Sequence, residues 1–269
     1  HASGQTPDTG FGNYTGTVGN ASGNTDWTFT GSNSVSLGTT GFKVQVRVNE
    51  RNPGLTINGG SGAVSITGNV SGLNGLTINS NATTSTITGA ISDAAGSATT
   101  LTKLGTGGLV LNGANSYTGA TTISAGTLKL GHATALGAVS AGTTVASGAV
   151  LDLKSWDWAG SLGYLNFDAT NLVINGGTVR QSGSTSNAAA GTNSSSRQFT
   201  IGASGATFDS ATAGVTWMID RDTRSTYQVA TTGNITFTGA GDIAMNTWLS
   251  GTGSVTNNNT GTVTMGGTN

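Results

Sequence analysis

Few residues in this sequence could carry out acid–base or metal chemistry. The chain has no cysteine and two histidines, His1 and His132. A catalytic triad needs a histidine beside a nucleophile, and a zinc site needs several histidine or cysteine ligands. His132 falls in a stretch typical of a turn, which indicates a solvated loop side chain. We therefore expect no enzymatic activity, no bound metal and no cofactor.

The densest cluster of charge is the segment "DRDTR", which contains Asp220, Arg221, Asp222 and Arg224. Paired carboxylates could bind calcium or act in polysaccharide cleavage, and that activity would be lost when Asp220 or Asp222 is changed. Alternating signs in a loop are more typical of an ion-pair network, and we favour that interpretation.

An aromatic group in "SWDWAGSLGYLNF" offers a different chemistry, namely binding of sugars. Trp156 and Trp158 are two residues apart and would share one face of a strand. Exposed rings could stack on a glycan while Asp157 or Lys154 binds its hydroxyl groups. The same rings could instead cover a coil edge or pack against another subunit.

Composition restricts the classes of partner. The 269 residues include ten Lys plus Arg against eleven Asp plus Glu. Neither a nucleic-acid interface nor a polybasic membrane patch can be built from so few and so balanced charges. No apolar run approaches membrane-spanning length, so we expect no membrane insertion. The first residue is His1, which fits either an exported protein whose signal peptide has been removed or an excised piece.

Short extended segments must position these side chains. The chain has 45 glycines, which interrupt nearly every window before a helix could form. Between them, aliphatic and small polar residues alternate as in β-strands. The predicted strands are residues 27–31, 43–48, 55–59, 63–68, 76–80, 85–89, 109–111, 121–123, 127–130, 149–153, 172–181, 198–202, 215–220, 234–239 and 254–258.

These segments recur at roughly ten to twenty residues, a spacing that predicts one strand on each side of a coil. A single coil cannot bury its few aliphatic side chains alone, whereas stacked coils make continuous interior rows. At about twenty residues per coil and about 4.8 Å per step, the chain would form about a dozen coils, roughly 60 Å long. Asn58-Gly59 and Asn175-Gly176 are typical of hairpin turns, so an antiparallel β-sandwich is the alternative.

The segment from Leu101 to Gly131 resembles the autotransporter-associated β-strand repeat, also called the passenger-associated transport repeat. The resemblance implies an all-β chain folded as a right-handed parallel β-helix, in a secreted or surface-exposed bacterial protein. A membrane barrel, which displays such passengers, is not visible in this chain. The matching positions are Lys103, Gly105, Gly107, Leu109, Leu111, Gly113, Asn115 and Tyr117 to Gly119, followed by "TTISAGTLKLG".

The two ends of the chain each carry part of the same repeat. "VTNNNTGTVTMGGTN" (Val255 to Asn269) aligns without gaps to Leu101 to Asn115, and "GNYTGTVGN" (Gly12 to Asn20) supplies a later part. The two parts could meet between molecules and so build a filament, or they could mark boundaries cut through a longer array. The residues predicted at such an interface are Asn13, Tyr14, Thr15, Gly16, Val263, Met265 and Asn269.

The sequence therefore predicts one β-solenoid domain over residues 1–269, with residues 1–20 and 255–269 as inter-subunit segments. The predicted function is a structural subunit of an extracellular or cell-surface fibre that polymerises head to tail, so that its main partner is itself. The alternative is an adhesin or glycan-binding passenger fragment, which would bind glycans or a cell surface through Trp156 and Trp158.

Overall fold

A computed structural model describes ten stretches of the chain in enough detail to interpret. They are residues 27–30, 35–37, 42–43, 54–71, 73–93, 96–138, 142–153, 171–184, 199–219 and 228–266.

Two long sheets form the first and second sides of a coiled chain. The first sheet contains, in order, β1 (Trp27–Thr30), β4 (Gly54–Gly60), β7 (Gly75–Ser80), β9 (Thr100–Leu104), β11 (Thr121–Ile123), β13 (Thr143–Ala146), β15 (Leu172–Asn175) and β17 (Thr200–Ile201). The second sheet contains β2 (Val35–Leu37), β5 (Val64–Ile66), β8 (Ser85–Ile87), β10 (Gly108–Leu111), β12 (Thr127–Leu130), β14 (Val150–Leu153), β16 (Thr178–Gln181), β18 (Ala206–Ser210), β21 (Ile235–Gly239) and β24 (Val255–Asn257).

Shorter sheets complete the coils. One contains β19 (Thr216–Ile219), β22 (Asp242–Met245) and β25 (Val263–Met265), and a smaller one pairs β3 (Phe42–Lys43) with β6 (Val70–Ser71). Strand β20 (Gln228–Thr231) contacts β17 and pairs with β23 (Trp248–Gly251), so the first side of the coil continues beyond the first sheet.

Every pairing between these strands is parallel. Within each sheet, a strand pairs with the strand one coil before it, the strand one coil after it, or both, which is the arrangement of a parallel β-helix. The predicted solenoid is confirmed, and the antiparallel sandwich is wrong. Asn58-Gly59 lies within β4 rather than in a hairpin turn, because Asn58 pairs with Asn79 of the next coil.

The coils are less regular than the sequence predicts. In the second sheet, Gly108 pairs with Thr127, 19 residues later, but Thr178 pairs with Thr207, 29 residues later. The ten strands of this sheet span about 43 Å at about 4.8 Å per step. The segment 172–181 is also two strands rather than one, since the chain turns at Gly176, whose φ is +82°.

The core consists of aliphatic rows that run from coil to coil. In the first sheet Ile57, Ile78, Ile123 and Ile174 are completely buried and stack in register, and the second sheet supplies a matching row. Burial of each such side chain stabilises the fold by roughly 1.5–3 kcal/mol. In the wider coils the interior holds an aromatic cluster around Phe208, whose ring centroid lies 5.7–6.1 Å from those of Phe199, Trp217 and Phe237.

Candidate functional site: the transport repeat and the outer faces of the coils

Most of the side chains predicted to bind partners lie outside the described residues. This holds for Asn13, Tyr14, Thr15, Gly16 and Asn269, for Trp156 and Trp158, and for the charged segment 220–224. His132 is described: it is exposed, and its Nδ1 accepts a 3.1 Å hydrogen bond from the backbone N–H of Thr134. It belongs to a turn, as predicted.

Val263 and Met265, two of the predicted interface residues, lie on β25 in the last described coil. Met265 pairs with Met245, which is completely buried, yet Met265 itself is 48% exposed. In the second sheet Val255 is 47% exposed although its partner Ile235 is buried. The interior rows therefore continue into this coil, where Val255 and Met265 are exposed.

The lysine of the transport repeat is buried inside the coil. Lys103 takes a position in the aliphatic row of the first sheet, between Ile78 and Ile123, and has no exposed surface. Its Nζ donates to the carbonyl oxygens of Leu104 at 2.6 Å and Gly105 at 2.7 Å. A third hydrogen bond, of 3.3 Å, reaches Ala125 in the following coil. Burial lowers the pKa of Lys103 to about 8.

The glycines of the "K-x-G-x-G" element sit where neighbouring coils come closest. A Cβ on Gly107 would lie 1.9 Å from the carbonyl oxygen of Ala82 in the coil before. Gly105 has a φ of +72°, and a Cβ there would lie 2.5 Å from the carbonyl oxygen of Ser80. Only glycine tolerates the positive φ of Gly105 and leaves room for the neighbouring carbonyl oxygens at both positions. These two glycines therefore permit the tight turn between β9 and β10.

Asn115 ties three successive coils together, and the nearby Tyr117 makes a local hydrogen bond. The Oδ1 of Asn115 accepts from the N–H of Ile91 at 2.8 Å, and its Nδ2 donates to the carbonyl of Ala135 at 2.5 Å. Tyr117 is fully buried, and its hydroxyl lies 2.7 Å from Oγ1 of Thr121. Burial raises the pKa of Tyr117 well above its usual value, although the hydrogen bond with Thr121 opposes this. The repeat thus holds coils together, and the side-chain polar groups of Lys103, Asn115 and Tyr117 are hydrogen-bonded within the fold.

A row of alternating charge on the second sheet was not anticipated from the sequence. Lys129, Asp152, Arg180 and Asp209 are partners on four consecutive strands, β12 to β18. Arg180 Nε lies 2.6 Å from Asp209 Oδ2, and Lys129 Nζ lies 3.6 Å from Asp152 Oδ2. We call this set the charge row. The residues are 23, 28 and 29 positions apart, so only the lengths of the coils could have revealed it.

The described residues contain no group of three or more His, Cys, Asp or Glu side chains that could hold a metal ion. Among the same residues, no helix is long and apolar enough to cross a membrane.

Comparison with known proteins identifies the repeat. A family model described as Passenger-associated-transport-repeat matches residues 101–130, the segment singled out in the sequence. The chain is also similar to the adhesin BmaC autotransporter of Brucella suis biovar 1 (strain 1330), with 34% identity over 141 residues. This alignment covers 50% of the chain but 4% of the relative. No solved structure gives a significant match. The chain is thus a parallel β-helix that carries a passenger-associated transport repeat, and half of it is similar to a small part of an autotransporter adhesin.

Proposed function

We propose that this chain is a segment of an exported autotransporter-like passenger that acts in adhesion at the bacterial surface. The observation that carries the proposal is the similarity of half the chain to an autotransporter adhesin. The transport repeat at residues 101–130 supports export to the cell surface or the medium.

The fold suits a stalk that presents binding surfaces away from the cell. Parallel strands fix each coil on its neighbours, and the fully buried interior rows make the stack continuous. Segments between strands can then vary in length without disturbing the stack. The segment between β14 and β15, residues 154–171, includes Trp156 and Trp158 and is as long as the segment between β16 and β17, residues 182–199. We expect these rings to contribute to glycan or cell-surface binding, and we expect no enzymatic activity.

Adhesion can be measured with fluorescent beads coated with the purified chain and applied to cultured animal cells. We expect more beads to be retained than with an unrelated coating, and soluble chain to compete. Replacing Trp156 and Trp158 by alanine should reduce retention, whereas Trp248→Ala, on strand β23, serves as the matched control. Retention no greater than that of the unrelated coating would contradict the adhesive function. If beads carrying the variant without Trp156 and Trp158 are retained as well as beads carrying Trp248→Ala, the binding surface lies elsewhere on the chain.

Head-to-tail assembly into a fibre, predicted from the partial repeats at Gly12 to Asn20 and Val255 to Asn269, is the second candidate. Val255 and Met265 continue rows that are buried in the preceding coil. A further coil stacked on β24 and β25 would bury both side chains, and in a fibre that coil would come from another copy of the chain.

Negative-stain electron microscopy separates this candidate from the first. Filaments formed by the chain should disappear when residues 255–269 are deleted and should be weakened by Met265→Asp. The lateral variant Thr236→Asp, on the second sheet, should leave them intact. Single rods in every sample would rule out self-assembly and leave the adhesive stalk.

A further inference from the structure

The charged residues of the second sheet stand in a single row. Among the residues of its described strands, the four members of the charge row are the charged ones. Register places them on consecutive strands, so that positive and negative side chains alternate at about 4.8 Å per step. The order along the sheet is Lys129, Asp152, Arg180 and Asp209.

The pairing within the chain leaves polar groups at the centre of the row unused. Arg180 Nε contacts Asp209, and within the described part of the chain the two terminal amino groups of Arg180 make no hydrogen bond. On the neighbouring strand, Asp152 is 6% exposed, and its Oδ1 has no hydrogen-bond partner among the described residues. A buried carboxylate oxygen without a donor costs stability. The centre of the row therefore calls for a donor from outside the chain.

The lysine beside Asp152 is loosely held. Lys129 Nζ lies 3.6 Å from Asp152 Oδ2 and 3.3 Å from Ser182 Oγ, and this lysine side chain is 45% exposed. A half-exposed lysine gains little from an ion pair at this distance, and its flexible stem has many rotamers. Lys129 can therefore move to another carboxylate at little cost and give a donor access to Asp152.

The order of the charges is complementary to itself when it is reversed. The row alternates from positive to negative, and a second copy lying antiparallel presents the opposite sign at every step. Lys129 then faces Asp209 of the second copy, and Asp152 faces the second copy's Arg180. A two-fold axis between Asp152 and Arg180 makes each contact occur twice. Two copies pointing the same way in register would instead place like charges together, which is unfavourable.

We infer that two copies of this chain associate side by side and antiparallel through the charge row. In this pair the guanidinium of Arg180 reaches the carboxylate of Asp152 in the other copy and supplies the missing donor as a charge-assisted hydrogen bond. Asp209 receives Lys129 of the other copy in exchange. The inference depends neither on the adhesive function nor on head-to-tail assembly.

The rest of the outer face allows close approach but gives a small contact. Next to the charge row lies a second register of uncharged, β-branched side chains, which lets two flat sheets pack at about 10 Å. Eight strands, β8 to β24, would overlap, and the contact would bury roughly 900 Å² in total, which is typical of weak and transient interfaces. The residues of this second register are Thr127, Val150, Thr178, Thr207 and Thr236.

Sedimentation equilibrium over a series of protein concentrations at low ionic strength would measure the association. We expect a monomer–dimer equilibrium that weakens as salt is added. Arg180→Asp should weaken the dimer about tenfold or more, because it places a negative charge opposite Asp152 of the second copy. Met265→Asp, on β25 of the third sheet, is the matched control for head-to-tail contacts and should leave the dimer unchanged.

Exchanging two charges tests the pairing itself. Asp152→Arg alone should weaken the dimer as Arg180→Asp does. The two changes together give the order positive, positive, negative, negative, which is again complementary when reversed, so the double variant should recover the dimer. Circular dichroism and thermal melting must show that each variant is folded. An unchanged chain that stays monomeric at every concentration, or a folded double variant that does not recover, would overturn the inference.

Cross-linking reports the orientation, and the chain has no cysteine to interfere. Val110 precedes Lys129 in the register and Thr238 follows Asp209, so antiparallel copies place Val110 opposite Thr238. A short bis-maleimide should join Val110→Cys chains to Thr238→Cys chains in a mixture, and much less within either variant alone. Thr102→Cys, on the first sheet, should join to neither. Cross-linking as strong within one variant as in the mixture would show parallel copies and contradict the antiparallel pairing.

Discussion

Gly107 lies so close to Ala82 in the preceding coil that no other residue fits: a Cβ on Gly107 would be 1.9 Å from the carbonyl oxygen of Ala82. This one contact explains why a glycine occupies that place in the transport repeat. The missing side chain lets neighbouring coils of the second sheet approach closely where β10 begins. The next coil repeats this close approach, since a Cβ on Gly126 would lie 2.3 Å from the carbonyl oxygen of Gly107.

Replacing Gly107 by alanine should destabilise the chain by about 1–3 kcal/mol or more, because backbone rather than a flexible side chain must move. Urea denaturation would measure the loss, and hydrogen exchange would place it at β10. Gly148→Ala is the matched control, since Gly148 has a φ of +75° but no atom within 4 Å of an added Cβ. It should cost only the conformational strain of about 1–2 kcal/mol. Equal losses at the two positions would show that close approach of the coils is unimportant.

Lys103 should make stability rise with pH in an alkaline range. Its folded-state pKa of about 8 lies below the usual 10.5. Below about pH 8 both folded and unfolded chains carry the proton, so the penalty for burying the charge is constant. Between about 8 and 10.5 the unfolded chain binds more protons at this site, and the free energy of unfolding therefore increases with pH.

Urea titrations of the unchanged chain and of Lys103→Met between pH 7 and 10.5 would measure this dependence. The free energy of unfolding of the unchanged chain should increase with pH relative to that of Lys103→Met. A constant difference would mean that the three carbonyl acceptors keep the ammonium group charged throughout.

Asp93 should contribute stability that disappears in acid. Burial raises the pKa of this carboxyl, but hydrogen bonds from the Thr118 hydroxyl and from the backbone N–H groups of Thr99 and Thr118 outweigh it and leave the pKa below 3.8. Its Oδ1 accepts from both N–H groups at 2.9 Å, which joins adjacent coils. The contribution is complete above pH 3.8 and is lost as pH falls through the lower folded-state pKa.

Asp93→Asn, which weakens these bonds, should reduce stability by about 1 kcal/mol at neutral pH. Thermal melting from pH 7 to pH 2 should show the two proteins converging at the acidic end. A difference that stays the same down to pH 2 would assign the loss to packing rather than to charge.

The two ion pairs of the charge row should differ in strength. A double-mutant cycle on Arg180 and Asp209, which are 2.6 Å apart, should give a coupling of about 1 kcal/mol. The same cycle on Lys129 and Asp152, at 3.6 Å with Lys129 nearly half exposed, should give a few tenths of a kcal/mol. Both couplings should shrink in 1 M salt. A stronger coupling for the lysine pair would contradict this ranking.

Local patterns in the sequence determined the strands and the repeat. Alternation of aliphatic and small polar residues specifies which side chains point inward, because successive residues of a strand face opposite ways. It identified all of β8, β11, β12 and β14. The glycine and asparagine positions of Leu101 to Gly131 marked the repeat, which the family model confirms over residues 101–130. The interior place of Lys103 was not predicted, because a lysine ordinarily indicates a solvated position.

Tertiary structure alone decided which residues stand next to each other in adjacent coils. Lys129 pairs with Asp152 and Thr178 with Thr207 because the turns between them close coils of different lengths. Asn115 likewise finds Ile91 and Ala135 only once three coils are stacked. Local alternation fixes the direction of a side chain, but hydrogen bonds between residues 19 to 29 positions apart fix the row to which it belongs. The charge row therefore exists only in the folded molecule.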